Sequence, residues 1–197
     1  MKGRWVVVDV ESSGLDASRD RLVSIGAIGV RDGQVVIADS FETVLRQEPP
    51  HDGPDIPIHG IGVAEQRQGM EPEKALRAFL DFIGDDPLVA YHAGFDERML
   101  TRALREHLGA RFRRDWLDLA QVAPLAWPGR VNPRSGLDGW LEALRIPMTR
   151  RHRAIVDCLA TAQLLVAVLE RAPALGVKRP AQLMRLSREA RWIGQTR

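Results

Sequence analysis

The sequence predicts an α/β fold with a mixed central β-sheet flanked by α-helices, and three observations carry that expectation. An apolar run, Trp5-Val6-Val7-Val8, opens the chain as a buried strand would. Two further extended segments, 22–31 and 34–44, are separated by Asp32-Gly33, a tight hairpin signal, so the first three strands read as an antiparallel meander. Beyond them, short apolar runs alternate with stretches at helical spacing, the pattern of a layered α/β domain.

Taken in order, the first strand covers 4–10. A Pro- and Gly-rich loop runs from Pro49-Pro50 to Gly62, and a helical pattern follows from Pro72 to Ile83. A strand over 87–91 precedes a helix over 96–108, with Met99, Leu100, Ala103 and Leu104 on one face. A short strand near 112–117 leads to helices over 118–126 and 136–144, separated by the breaker-rich loop Trp127–Gly136. The long helix 154–171 carries the stripe Leu159-Ala160, Leu164-Leu165 and Val168-Leu169. Residues 1–172 read as one domain. Residues 173–197 read as a basic helical extension packed on it, with a partner contact as the alternative.

Chemistry-bearing residues stand at the ends of these elements. Asp9 and Glu11 close the first strand two residues apart, so both carboxylates point to the same side. Gathering like charges there is unfavourable unless a cation neutralises them, and hard oxygen ligands suit Mg²⁺ or Mn²⁺. Asp96, in His92-Ala93-Gly94-Phe95-Asp96, sits at a strand-to-helix junction. Asp157 lies early on the long helix, and His152, in the preceding loop, is placed as a mobile general base.

At these residues the chain resembles the DEDD family of 3′→5′ exonucleases, in the subgroup with His in its third motif. The proofreading epsilon subunit of bacterial DNA polymerase III is that subgroup's best-known member. Asp9-Val10-Glu11-Ser12-Ser13-Gly14 matches the first motif and His152 through Asp157 the third. The second departs from the pattern at His92, where the family usually has Asn. Ile58-His59-Gly60-Ile61 is similar to the family's substrate-pocket loop, and Asp115-Trp116-Leu117-Asp118-Leu119-Ala120 to its Asp-Thr-Leu-x-Leu-Ala stretch. The resemblance implies a ribonuclease H-like fold. It also implies two divalent ions, Mg²⁺ or Mn²⁺, roughly 3.5–4 Å apart, held by Asp9, Glu11, Asp96 and Asp157, with His152 as the base.

The implied reaction removes 5′-mononucleotides from the 3′ end of nucleic acid, single-stranded DNA favoured. Short RNA is the alternative, as in oligoribonuclease and RNase T, and a non-catalytic nucleic-acid-binding module is a weaker one. The terminal nucleotide is expected against Ser12, Ser13, Gly14, Leu15, His59, Ile61 and Phe95. Phe95 also reads as core and His59 as a turn residue. His92 reads as structural, and Cys158 as a buried thiol outside the chemistry.

Composition is that of a globular enzyme: 197 residues, 45% hydrophobic and 27% charged. A single cysteine excludes an internal disulfide framework and points to a reducing compartment. No stretch approaches the roughly 18 apolar residues of a membrane span, and no signal-peptide pattern opens the chain, so the expectation is cytoplasmic, with no membrane contact. The net charge of +2 conceals an asymmetry: residues 1–144 hold 17 Lys/Arg against 23 Asp/Glu, and residues 145–197 hold 11 against 3. Arg145, Arg150, Arg151 and Arg153 flank His152, where they read as phosphate contacts or as a solvated surface. A DNA polymerase is the expected protein partner, with the basic C-terminal segment as its candidate contact.

Overall fold

The computed structural model describes residues 3–50, 60–147 and 153–195. A five-stranded mixed sheet runs in the order β3-β2-β1-β4-β5. Strands β1 (Arg4–Ser12), β2 (Leu22–Arg31) and β3 (Gln34–Val44) form the antiparallel meander. Strands β4 (Leu88–Ala90) and β5 (Trp116–Asp118) extend it in parallel from β1. Between β2 and β3, Asp32 (φ 51°) and Gly33 (φ 81°) both take the left-handed conformation that a two-residue type I′ turn demands.

The helices are α1 (Val63–Gln68), α2 (Pro72–Ile83), α3 (Gly94–Leu108), α4 (Leu119–Ala126), α5 (Gly136–Ala143), α6 (Ala154–Arg171) and α7 (Pro180–Gln195). Strand alternation divides the core into two layers. Trp5 and Val7 of β1 and Ile28 and Val30 of β2 pack with α4, α5, α6 and α7. Val6, Val8 and Val10 face the other way, onto Leu76 and Phe79 of α2 and Met99, Leu100 and Leu104 of α3. Each fully buried Val, Leu, Ile or Phe contributes about 1.5–3 kcal/mol. The C-terminal segment shares the first layer, with Val177, Leu183 and Met184 buried in it. No helix among the described residues is long and apolar enough to cross a membrane.

Among the differences from the expected elements, three have a clear physical reason. Helix α1 is additional; it is held by a fully buried Gln66, whose amide donates to the Ile61 carbonyl at 3.0 Å, and so lacks the apolar stripe that announces a helix. Strand β1 continues past Val10 because Glu11 and Ser12 still pair with β2, through an irregularity between them. Strand β5 occupies Trp116–Asp118, not 112–117, because its register is set by Leu88, Val89 and Ala90 of β4.

Candidate active site

The alternation that buries Trp5 and Val7 under α6 places Asp9 and Glu11 on the same face of β1. Gly26 of β2 pairs with Asp9. A Cβ on Gly26 would stand 2.5 Å from the Ala154 carbonyl carbon, so the bare glycine lets the start of α6 lie directly on the sheet. Asp157 follows in the first turn of that helix. The result is a cluster in which carboxylate oxygens of Asp9, Glu11 and Asp157 lie within 4.8 Å of one another, Asp157 buried and the other two half-buried.

Asp96 approaches from α3. Its Oδ1 accepts the Val10 N–H at 3.2 Å, and only 6% of the residue is exposed. Burial pushes this carboxyl up to about 8, the nearby charges of Asp118 and Glu11 adding to the effect, while its own N–H and that of Val10 oppose it. Cys158, beside Asp157, is fully buried; burial and the charges of Asp9, Asp96 and Asp157 push its thiol upward, so it stays protonated and unreactive.

Ser12 to Leu15 leave the strand end as a braced loop. The Ser12 hydroxyl donates to the Gly14 carbonyl at 2.6 Å. Ser13 is held twice by Arg21, its Oγ accepting the Arg21 N–H at 2.8 Å and its N–H donating to the Arg21 carbonyl at 2.9 Å. Gly14 lies close against the Asp20 carboxylate, which a Cβ at this position would meet at 2.5 Å and have to displace. Leu15 projects beyond the loop, 95% exposed. Phe95 is half-buried against the core of α2 and α3, and Ile61 is buried. His152 and His59 lie outside the described residues.

One buried acid escaped the sequence reading. In the segment beginning at Asp115, that residue is exposed and faces Arg188, whereas Asp118 is buried, ends β5 and caps α4 by accepting the Ala120 N–H at 3.0 Å. Its signal was present: an Asp closing an apolar strand just before an apolar helical run is an N-cap pattern. His92 stands at φ 64°, in the left-handed region where Asn, Asp and His are the common non-glycine residents. Histidine is thus a residue type that this left-handed turn position accommodates.

The donor set is made of hard carboxylate oxygens whose crowding a divalent cation relieves, so the residues present fit Mg²⁺ or Mn²⁺. A family model for exonucleases of the RNase T type matches residues 6–165. The chain belongs to this exonuclease family. It is 31% identical to the PolC-type DNA polymerase III of Bacillus subtilis over 175 residues, which is 88% of this chain and 12% of that protein. The Thermotoga maritima counterpart is 29% identical over 183 residues, 92% of this chain and 13% of that protein. The exonuclease thus spans about an eighth of the length of these relatives.

Among solved structures, Exonuclease X in complex with 5′ overhanging duplex DNA superposes with a TM-score of 0.72 at 22% identity, covering 93% of this chain and 99% of that one. E. coli Exonuclease I in complex with a dT13 oligonucleotide superposes at 0.72 and 20% identity, covering 88% and 42%. The sheet order and flanking helices are those of the ribonuclease H-like fold.

Proposed function

We propose that this exonuclease hydrolyses the terminal phosphodiester bond at the 3′ end of nucleic acid, with single-stranded DNA favoured, releasing 5′-mononucleotides. The observation that carries this reading is the convergence of Asp9, Glu11 and Asp157 within 4.8 Å at the end of β1. The buried Asp96 is anchored to the same strand end. Asp9, Glu11, Asp96 and Asp157 would hold two divalent ions. Such ions supply positive charge to the phosphoryl oxygens and acidify a bound water.

The remaining roles belong to the chain. His152, two residues before α6 in sequence, takes the proton of the attacking water. Its neutral form at pH 7 suits that task. Arg153, next to it in sequence, is engaged with Glu65 at 3.0 Å and Glu42 at 3.8 Å. The Ser12–Leu15 loop, fixed by its bonds to Arg21 and by the close packing of Gly14 on Asp20, presents a rigid seat for the last nucleotide. Leu15, 95% exposed, offers an apolar surface to a base, and Phe95, His59 and Ile61 are further proposed contacts of the last nucleotide. The name DNA polymerase III on the relatives, and the DNA in the structures of Exonucleases X and I, favour DNA as substrate and a polymerase as protein partner.

The test gives the purified protein matched 5′-labelled single-stranded DNA and RNA with Mg²⁺ or Mn²⁺, alongside EDTA and an Asp9→Ala variant. The expected outcome is a metal-dependent ladder shortening from the 3′ end, faster on DNA and absent in EDTA and in Asp9→Ala. The metal-free variant should melt no lower than the parent, because one of three crowded charges is gone. Cleavage retained by Asp9→Ala overturns the site, and immediate release of the 5′ label overturns the polarity.

A further inference from the structure

Asp118 does more than cap α4. The parallel register sets it beside Ala90, the last residue of β4, so its side chain reaches the turn that follows that strand. A single oxygen, Oδ1, accepts both the Ala120 N–H and the His92 N–H, each at 3.0 Å. His92 is the residue at φ 64°, a conformation uncommon for a residue with a side chain. The turn therefore needs an external hold. Immediately after it, the Phe95 N–H donates to the His92 carbonyl and the Glu97 N–H to the Ala93 carbonyl, starting α3 and setting Asp96 against Val10.

Asp118 is itself secured from behind. Its own N–H donates at 3.0 Å to the hydroxyl of Ser187, a residue of α7 that is 3% exposed. A continuous chain of bonds thus runs from α7 through the end of β5 to the β4–α3 turn and on to Asp96. A helix cap alone requires only the Ala120 bond; the second acceptor bond, to an amide 26 residues away in sequence, serves the turn.

We propose that Asp118 is a positioning residue for the carboxylate site: it clamps the left-handed turn at His92 so that Asp96 is presented to the end of β1, and Ser187 of α7 braces the clamp. This rests on the reading of Asp96 as a ligand-bearing carboxylate. Groups that orient metal-binding side chains without touching the metal typically change affinity or activity by about 10–100-fold when removed.

The experiment compares Asp118→Ala, Asp118→Asn and Ser187→Ala in the full chain by three readouts: hydrogen exchange of the His92 amide without metal, calorimetric titration with Mn²⁺, and kcat and KM for DNA cleavage. In Asp118→Ala the His92 amide should lose protection, with Mn²⁺ affinity and kcat falling about 10–100-fold and KM changing little. Asn keeps an acceptor at Oδ1 but without the charge that strengthens the bonds, so Asp118→Asn should keep the amide protected and stay within about fivefold of the parent. Ser187→Ala should shift all three readouts in the same direction by less, and it decides the matter if Asp118→Ala does not fold.

Equal losses of Mn²⁺ affinity in Asn and Ala, with the His92 amide still protected in Asn, would overturn the inference by making the carboxylate charge itself the functional element. An unprotected amide with unchanged Mn²⁺ affinity and kcat would also overturn it. Failure of the parent protein to bind Mn²⁺ or to cleave would instead strike at the proposed function, and the amide-exchange readout would still decide whether the clamp exists.

Discussion

Arg4 shows how one residue at the start of β1 secures the sheet that carries the site. Its guanidinium, 9% exposed, grips both oxygens of Asp39 on β3 at 2.8 Å and donates to Asp86 at 2.7 Å and to the Phe82 carbonyl at 3.1 Å. It also lies 4.8 Å from the centre of the Phe82 ring. The hydrogen bonds and charge of Arg4 hold the Asp39 carboxyl below its ordinary value, against the opposing effect of burial. A carboxyl whose folded value is depressed contributes stability above the unfolded value, about 3.9, and loses it as pH falls through the folded value. Asp39→Asn should therefore cost about 1.5–3 kcal/mol at pH 6, and the gap from the parent should close as melts are repeated toward pH 2. A gap independent of pH would show that the charge on Asp39 contributes nothing.

At the scale of elements, the contact of α6 with β2 decides where Asp157 stands. A methyl group on Gly26 would meet the Ala154 and Ile155 backbone at 2.5 and 2.6 Å, and backbone cannot rotate aside as a side chain does. Gly26→Ala should lower stability by about 1–3 kcal/mol. It should also lower kcat by up to about 100-fold through misplacement of Asp157, measured at a temperature where circular dichroism shows the variant folded. Unchanged kcat would mean that the helix start is not what aligns the acids. Nothing in the sequence marks this glycine, because a strand residue carries no sign of what will approach it. Elements held by their own apolar stripe were readable: α2 begins at Pro72 and ends at Ile83 as expected, with Ala75, Leu76, Phe79 and Ile83 on its buried face. The positions of Asp9, Glu11, Asp96 and Asp157, at or near the boundaries of such elements, were readable for a related reason. The double role of Asp118 was hidden because it depends on the pairing of β5 with β4, and α1 because a buried glutamine, not a stripe, holds it.

The molecule brings three carboxylates together where β1 ends and carries its excess of basic residues in the last quarter of the chain, so a cation bound at the cluster would be coupled to folding. Three carboxylates confined within 4.8 Å repel one another in the metal-free fold and disperse on unfolding, so a cation that binds only the folded form stabilises it by mass action. One site at a hundredfold excess over its dissociation constant adds about 2.7 kcal/mol. For a chain of 197 residues each kcal/mol raises the melting temperature by about 2–4 °C. Scanning calorimetry should therefore show a rise of roughly 5–11 °C on saturation with Mn²⁺, reversed by EDTA. The rise should be largely abolished in Asp9→Ala, while Asp39→Asn, remote from the cluster, should keep it in full. Equal stabilisation of Asp9→Ala would place the cation elsewhere and remove the physical reason for these acids to stand together.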